Sequence, residues 1–330
     1  MISNKKYVNA SKMEQPIIKS VGFNNEDVLI TENGEYQAKS PYTGFGKVFV
    51  NVPVSTETPI GWIPKNVDNN GVGMSPVLPD LTGLTAIYTY ALAYAYYHNT
   101  YAPMTVDFSN IRQIDVGGLF HTFDGASVLG EVNLSGLISV NTESLAYTFY
   151  SSGLSSLNLS NLVEIPSGIG TDTGCLSYVC SGCLGLTSVN ISHLKNIGNY
   201  GLCYAFNGCS SLQSIDVSSI EIVGQNGLYR TFYNSGLRGE IIFNNLKSMG
   251  SNAFSNCFYN CYYLTSIKFP ALTTESFGNY NTQFVGMLNG IRGCELHFPS
   301  NLSDTISRLS GYPNFTGTNT VILFDLPATE

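Results

Sequence analysis

Residues 186–212 read LTSVNISHLKNIGNYGLCYAFNGCSSL, and the run from Leu186 to Leu194 recurs with drift along most of the chain. Its other copies are MTVDFSNI at 104–111, LGEVNLSGL at 129–137, LSSLNLSNL at 154–162, LQSIDVSSI at 212–220, RGEIIFNNL at 238–246 and LTSIKFPAL at 264–272. Successive copies begin 25 or 26 residues apart, with one gap of 32 where 168–185 carries an insertion. A repeat of this length is the mark of a solenoid.

Val189 and Ile191 alternate with polar residues, as a short strand with one buried face requires. Leu194 then turns the chain inward again. Downstream, Leu202 and Phe206 stand four apart, so one helical turn is expected to place both on the inward face. Leu119 with Phe123, Leu145 with Phe149, Leu228 with Phe232 and Phe254 with Phe258 repeat the spacing. The expected coil is a strand, a bend, a short helical piece and a return. One coil buries only a few large apolar side chains, about 1.5–3 kcal/mol each, against an ordering cost of about 1–2 kcal/mol per residue. Stacking must supply the difference, each coil covering the apolar edge of the next.

The phrase at 186–212, with Phe206 and Cys209 ahead of Leu212, resembles the BspA-like leucine-rich repeats of bacterial surface and virion-associated proteins. The resemblance covers roughly residues 84–300. Two places depart from it: RGEIIFNNL lacks the first leucine, and the insertion breaks register locally. What the resemblance implies is a curved solenoid that binds other molecules and has no common catalytic residues.

The fold class is therefore a repeat solenoid of the leucine-rich-repeat type, with a short strand and a helical turn per coil, preceded by a small β-hairpin module. The expected divisions are a tail and attachment module at 1–54, a linker at 55–83, the solenoid at 84–302 and a C-terminal cap at 303–330. Residues 28–53 alternate apolar and polar on both sides of Ser-Pro-Tyr-Thr-Gly, which reads as a hairpin or two short paired strands. The segment at 53–79 is rich in Pro, Gly and Asn, as a linker or extended arm is. ITENGEYQAKSPYTGFGKVFVNVPV at 30–54 is similar to a short β module of phage and prophage tail-associated proteins, a phrase also met in bacterial surface proteins. At the other end, NTVILFDLPATE supplies one more apolar strand to close the solenoid, and such capping is physically required.

Charged residues are only 12% of the chain, about half the usual share. The surface is accordingly rich in Ser, Asn, Thr, Gly and Tyr. A net charge of −8 argues against nucleic acid. Lysines gather only at Lys5, Lys6, Lys12 and Lys19, in what reads as a solvated terminus. No stretch resembles a membrane span, and MISNKKYVNASKMEQ lacks the apolar core of a secretion signal. The expected location is a virion, for a protein made in the bacterial cytoplasm, the alternative being a cell-surface or secreted protein. A fibre or particle role is compatible with a homo-oligomer, though no heptad pattern supports a coiled coil.

Cys175, Cys180, Cys183, Cys257 and Cys261 do not give paired C-x-x-C zinc spacing. Cys183, Cys209 and Cys261 instead recur in one phase, which reads as a buried packing column, with disulfides and metal as the alternatives. His98, His121, His193 and His297 each fall in a different copy. No nucleophile elbow, His-Glu-x-x-His or phosphate loop accompanies them. VDNNGVG at 67–73 faintly resembles a calcium loop without its later acidic ligand. No metal, cofactor or catalytic residue is therefore assigned. Neighbouring coils could bring Glu131 near Asp107 as a sugar-hydrolysing pair, against the reading of both as structural or solvated acids. The Asn-x-Ser sequons at Asn133, Asn158 and Asn190 are by-products of the repeat.

Two columns remain as candidate binding surfaces. Tyr94, His121, Tyr147, Tyr178 and Tyr204 stand two residues before Phe123, Phe149 and their equivalents, and so point away from the core. Stacked coils would make of them an aromatic stripe suited to sugar rings and protein partners, or rings that lie flat and shield the coil. Asp107, Asn133, Asn158, Asn190 and Asp216 lie between the buried residues of each strand. They form a polar strip able to hydrogen-bond sugar hydroxyls, or one another and water. Ile242 and Lys268 interrupt that strip. The expected partner is a host surface glycan or protein, with other virion or surface proteins meeting the N-terminal region. The expected role is a non-enzymatic phage virion or tail component, the alternatives being a bacterial surface adhesin and a polysaccharide-degrading tail enzyme.

Overall fold

In a computed structural model of the chain, the described residues are 28–30, 36–38, 49–50 and 62–63, and from residue 85 onward all but 88–91, 94–95, 99–103, 169–172, 313–314, 316 and 330. The tail lysines, the loop at 67–73 and most of the 55–83 linker lie outside them.

From residue 85 the chain winds as a parallel β-solenoid of about nine coils. Most of the recurring phrases make rungs of a first strand column, and LQSIDVSSI at 212–220, which forms no strand, divides the column into two sheets. Met104–Asp107, Leu129–Asn133, Ser156–Asn158 and Ser188–Asn190 pair in parallel. Arg238–Ile242, Tyr263–Lys268, Glu295–Pro299 and Val321–Leu326 continue it as a second parallel sheet. A second column of two-residue strands follows the bend, from Ala86–Ile87 through Ser139–Val140 and from Glu164–Ile165 through Ser248–Met249. Register is set by burial: Leu157 faces Val132 and Val189 inside, while Asn158 faces Asn133 and Asn190 outside. A one-residue slip would turn every apolar side chain out to water.

Inside, like residues stack on like. Phe123 lies 5.8 Å from Phe149, and Phe206, Phe232 and Phe258 follow at 5.7 and 5.5 Å, all with nearly parallel rings. Cys180 takes the intervening place, where its coil carries no ring. Phe243, Phe269 and Phe298 form another stack, at 5.3 and 5.4 Å. The fully buried cysteine column has a hydrogen-bonding role as well as a packing one. Cys183 donates its thiol to the Phe149 carbonyl at 2.8 Å, Cys209 to Cys180 at 3.1 Å and Cys261 to Phe232 at 2.9 Å. All eight cysteines are buried, and Cys175, Cys180, Cys183, Cys209, Cys257, Cys261 and Cys294 carry free thiols. Burial pushes the Cys175, Cys261 and Cys294 thiols up to about 12.

The expected helical turn is not one. Leu145 and Phe149 do share the inward face, yet the segment runs as consecutive tight turns with a left-handed residue every fourth position, at Glu143, Tyr147 and Ser151 (φ 55°, 55° and 50°). The N–H groups of Ala146, Thr148 and Tyr150 bond three residues back, while those of Leu145, Tyr147 and Phe149 donate to Cys175, Ser177 and Val179 of the next coil at 2.8–3.0 Å. A helix would spend every N–H on itself and leave none to join the coils. This alternation turns the segment into a third hydrogen-bonded column. Both conformations have a period of four along the apolar positions, which is why spacing alone did not separate them. The separating signal was the residue type at the left-handed places, Asn252, Asn256 and Asn260 in one coil and Gly182 and Gly208 in others. Asn and Gly enter that region at the lowest cost.

In the N-terminal part, Val28–Ile30 pairs antiparallel with Tyr36–Ala38, and Phe49–Val50 with Trp62–Ile63. The expected hairpin about residues 40–44 is therefore displaced: the described strands on its two sides find other partners. At the C-terminus, Val321–Leu326 adds the closing rung, with Ile322 and Phe324 packed on the core.

Candidate functional site

The outward column of the turn segment begins with its backbone. His121, Tyr147, Tyr178 and Tyr204 all adopt left-handed φ, between 51° and 56°. For a bulky side chain this costs about 1–2 kcal/mol. The same column later holds Arg230, Asn256 and Gly286, again left-handed. Four successive coils thus keep a ring where Asn or Gly would sit with less strain.

What offsets the strain is visible in the rings. His121 stacks on Tyr147, Tyr147 on Tyr178 and Tyr178 on Tyr204, each at 4.5 Å between centroids and within 8° of parallel. All are half-buried. Burial is the main reason the Tyr147, Tyr178 and Tyr204 hydroxyls are held above the ordinary phenol range. Asp124, itself buried, takes His121 Nδ1 at 2.6 Å and fixes the first ring. The rings spend their flat faces on one another and offer a continuous ridge of edges and hydroxyls. Tyr94 lies outside the described residues.

The ladder stops at Tyr204. Tyr229 meets that ring edge-on at 5.4 Å, and Arg230 donates from Nη1 to the Tyr204 hydroxyl at 2.9 Å. Tyr233 and Tyr259 then stack at 4.4 Å beside it. Arg230, Tyr229, Tyr233 and Tyr259 were missed in the sequence because only rings in phase with Phe123 and Phe149 were collected. Arg230 stands 26 residues after Tyr204, so the period alone would have found it.

Asp107, Asn133, Asn158, Asn190 and Asp216 occupy equivalent places in the middle of the phrase. Each Oδ1 accepts the N–H two residues on, from Ser109, Ser135, Ser160, Ser192 and Ser218, at 2.9–3.2 Å. These Asx turns bend the chain out of the strand and account for Asn or Asp at that position. Asn133 and Asn190 are exposed and Asn158 is half-buried. As expected, the column runs on into Ile242 and Lys268, which face each other in register.

Glu131 and Asp107 project from adjacent strands of the same face. Asp107 faces Asn133, so Glu131 is a diagonal neighbour, about 8 Å away between Cα atoms by strand spacing and rise. Asp107 is already engaged by Ser109. His193 Nδ1 contacts the Ser160 carbonyl and His297 Nδ1 the Asp325 carboxylate, so the histidines are dispersed among separate environments. Among the described residues no group of three or more His, Cys, Asp or Glu side chains could hold a metal ion, and no helix is long and apolar enough to cross a membrane.

Comparison with known families matches the BspA type leucine rich repeat region over residues 146–257, 173–281 and 255–304. Residues 146–304 are thus similar to repeats of that type, a family that is typically non-enzymatic. Residues 30–54 lie outside the match. No curated protein matches the chain.

Proposed function

We propose that this solenoid of BspA-type repeats is a non-enzymatic binding protein, a virion or tail-associated component that attaches through its N-terminal part and presents the aromatic ridge to a glycan or protein on a host surface. The observation that carries the reading is the ladder from His121 to Tyr204, four rings kept at left-handed positions. Backbone strain retained against lower-cost residues is a feature of sites that bind. The ridge is semi-rigid, so ordering it against a partner costs little entropy. Elsewhere on the coil, Asn133, Asn158 and Asn190 supply a second, polar column.

Cell-binding assays with the full chain, residues 84–330 and the Tyr147→Ser/Tyr178→Ser double variant test this. Binding should follow 84–330 and fall in the double variant, and unchanged binding by a folded double variant rejects the ridge. Release of reducing ends from host capsule would overturn the non-enzymatic part. The repeat type also suits an adhesin of a bacterial surface. Genome neighbours encoding tail proteins, or cell-wall anchoring, separate the two.

A further inference from the structure

Arg230 differs from the lysines of the solenoid, and among its described arginines it is the one set against three rings. Lys195 and Lys247 share Glu221, and Lys268 pairs with Glu240. Among the described residues Arg230 forms no ion pair. Its guanidinium lies 5.5 Å from the ring of Tyr204, 5.3 Å from Tyr229 and 5.5 Å from Tyr233. Of its donors, Nη1 is used by the Tyr204 hydroxyl, and the buried Nε has no partner. Its backbone is left-handed as well, at φ 51°. A positive group is thus held without a counter-charge at the end of the His121–Tyr204 ladder, in a chain of net charge −8.

We propose that Arg230 and its three tyrosines form the subsite for a carboxylated sugar, such as a uronic or sialic acid residue of a surface glycan. This rests on the reading above, that the aromatic ridge binds, and adds the chemistry of the ligand. A planar guanidinium fork matches the two oxygens of a carboxylate. The three rings keep the guanidinium in a fixed orientation and strengthen its field by limiting water around it. Aromatic edges and hydroxyls next to the charge suit the mixed C–H and O–H surface of a sugar ring. Occupation would give Arg230 the counter-charge it lacks in the free protein.

The test is a glycan panel in which each carboxylated oligosaccharide is printed beside its carboxyl-reduced and its sulfated counterpart, probed with full-length native protein, Arg230→Gln and Arg230→Lys. Native protein should bind the carboxylated forms at least tenfold more tightly than the reduced ones, and the preference should weaken with salt. Arg230→Gln should lose the preference while keeping binding to neutral glycans, and Arg230→Lys should keep only part of it. Equal binding of carboxylated and reduced forms by the native protein overturns the proposal, and needs no variant to fold. Equal or tighter binding of sulfated forms overturns the carboxylate assignment. If the preference is absent but Tyr147→Ser/Tyr178→Ser abolishes neutral binding, this subsite fails and the ridge stands. If native protein binds no glycan on the panel, the subsite fails, and cell binding then decides whether the ridge serves a protein partner.

Discussion

Coils 119–206 and coils 228–326 share an interior and differ in what they show to solvent. Both stack phenylalanines at nearly the same separation, 5.8 Å for Phe123 and Phe149 and 5.5 Å for Phe232 and Phe258. Outside, the first set carries the ladder from His121 to Tyr204 and the Asx column from Asp107 to Asp216. The second carries Arg230, Asn256 and Gly286 in the former place and Ile242, Lys268 and His297 in the latter. Polar and aromatic uniformity there gives way to an ion pair between Glu240 and Lys268 and a contact between His297 and the Asp325 carboxylate. Stacking dictates the interior in every coil, because each must cover its neighbour. The outside is released from that demand, and both of its columns change character after Tyr204 and Asp216.

The largest effect should come from breaking the shared interior in one half only. Ile191→Asp buries a carboxylate where Ile191 is 2% exposed, at a cost above about 4 kcal/mol. A solenoid is coupled mainly through nearest neighbours, so hydrogen exchange should rise sharply over coils 154–220 and far less beyond 264. Uniform loss of protection would show that the two halves fold as one unit.

The interior was legible because it obeys a period: Val189, Ile191, Leu194, Leu202, Phe206 and Cys209 are all buried where the phrase places them. Conformation between them was less so. Leu202 and Phe206 fit both a helix and a chain of turns, and only the Asn and Gly recurring at fourth positions distinguish the two. The cysteine phase located a column but not its purpose, since the Cys183 thiol bond to the Phe149 carbonyl crosses coils. For the outer columns, sequence gave position and left contact open. Tyr178 was identifiable as outward, while its two ring neighbours follow only from coil registry across the insertion at 168–185.

Substitutions in the left-handed column separate strain from stacking. Tyr178→Ala keeps the strain at φ 56° and loses both ring contacts, which should cost about 2 kcal/mol. Tyr178→Asn loses the same contacts but relieves about 1 kcal/mol of strain, and so should be the milder of the two. In the other half, Asn256→Ala adds strain and removes no ring, for a loss of about 1 kcal/mol. Chemical denaturation of the three variants measures this order. Should Tyr178→Asn be as damaging as Tyr178→Ala, strain is not what distinguishes the halves.

Alkali should weaken the solenoid through the ladder, whose hydroxyls ionise last. Burial holds the Tyr178 hydroxyl well above the ordinary phenol range, and Tyr147 and Tyr204 are raised for the same leading reason. Because the folded values are raised, the associated stability is complete below about pH 10, the unfolded value, and is lost as pH rises toward the folded ones. Titration followed at 295 nm should show exposed phenols ionising first and the ladder ionising together with a loss of structure. Tyr178→Asn should shrink the late phase, and an unchanged late phase would assign it to other tyrosines.

Acid should act on the opposite half, and weakly. Lys268 Nζ lies 2.5 Å from Glu240 Oε2, and Ser266 Oγ donates to the same oxygen at 3.2 Å. The lysine hydrogen bond is the main reason the Glu240 carboxyl is held below its usual range. A depressed folded value means that the stabilisation is present above about pH 4.3, the unfolded value, and disappears as pH falls through the folded one. With the two side chains 31% and 39% exposed, solvent screening limits the contribution to a few tenths of a kcal/mol. Glu240→Gln should therefore lower stability slightly at pH 7 and leave it unchanged at pH 3, with the difference confined to exchange in coils 238–299. The pair also has an alkaline end, because Glu240 holds the Lys268 ammonium above its usual range. Glu240→Gln should therefore flatten the acid limb and trim only the far end of the alkaline one, whereas Tyr178→Asn should leave the acid limb unchanged.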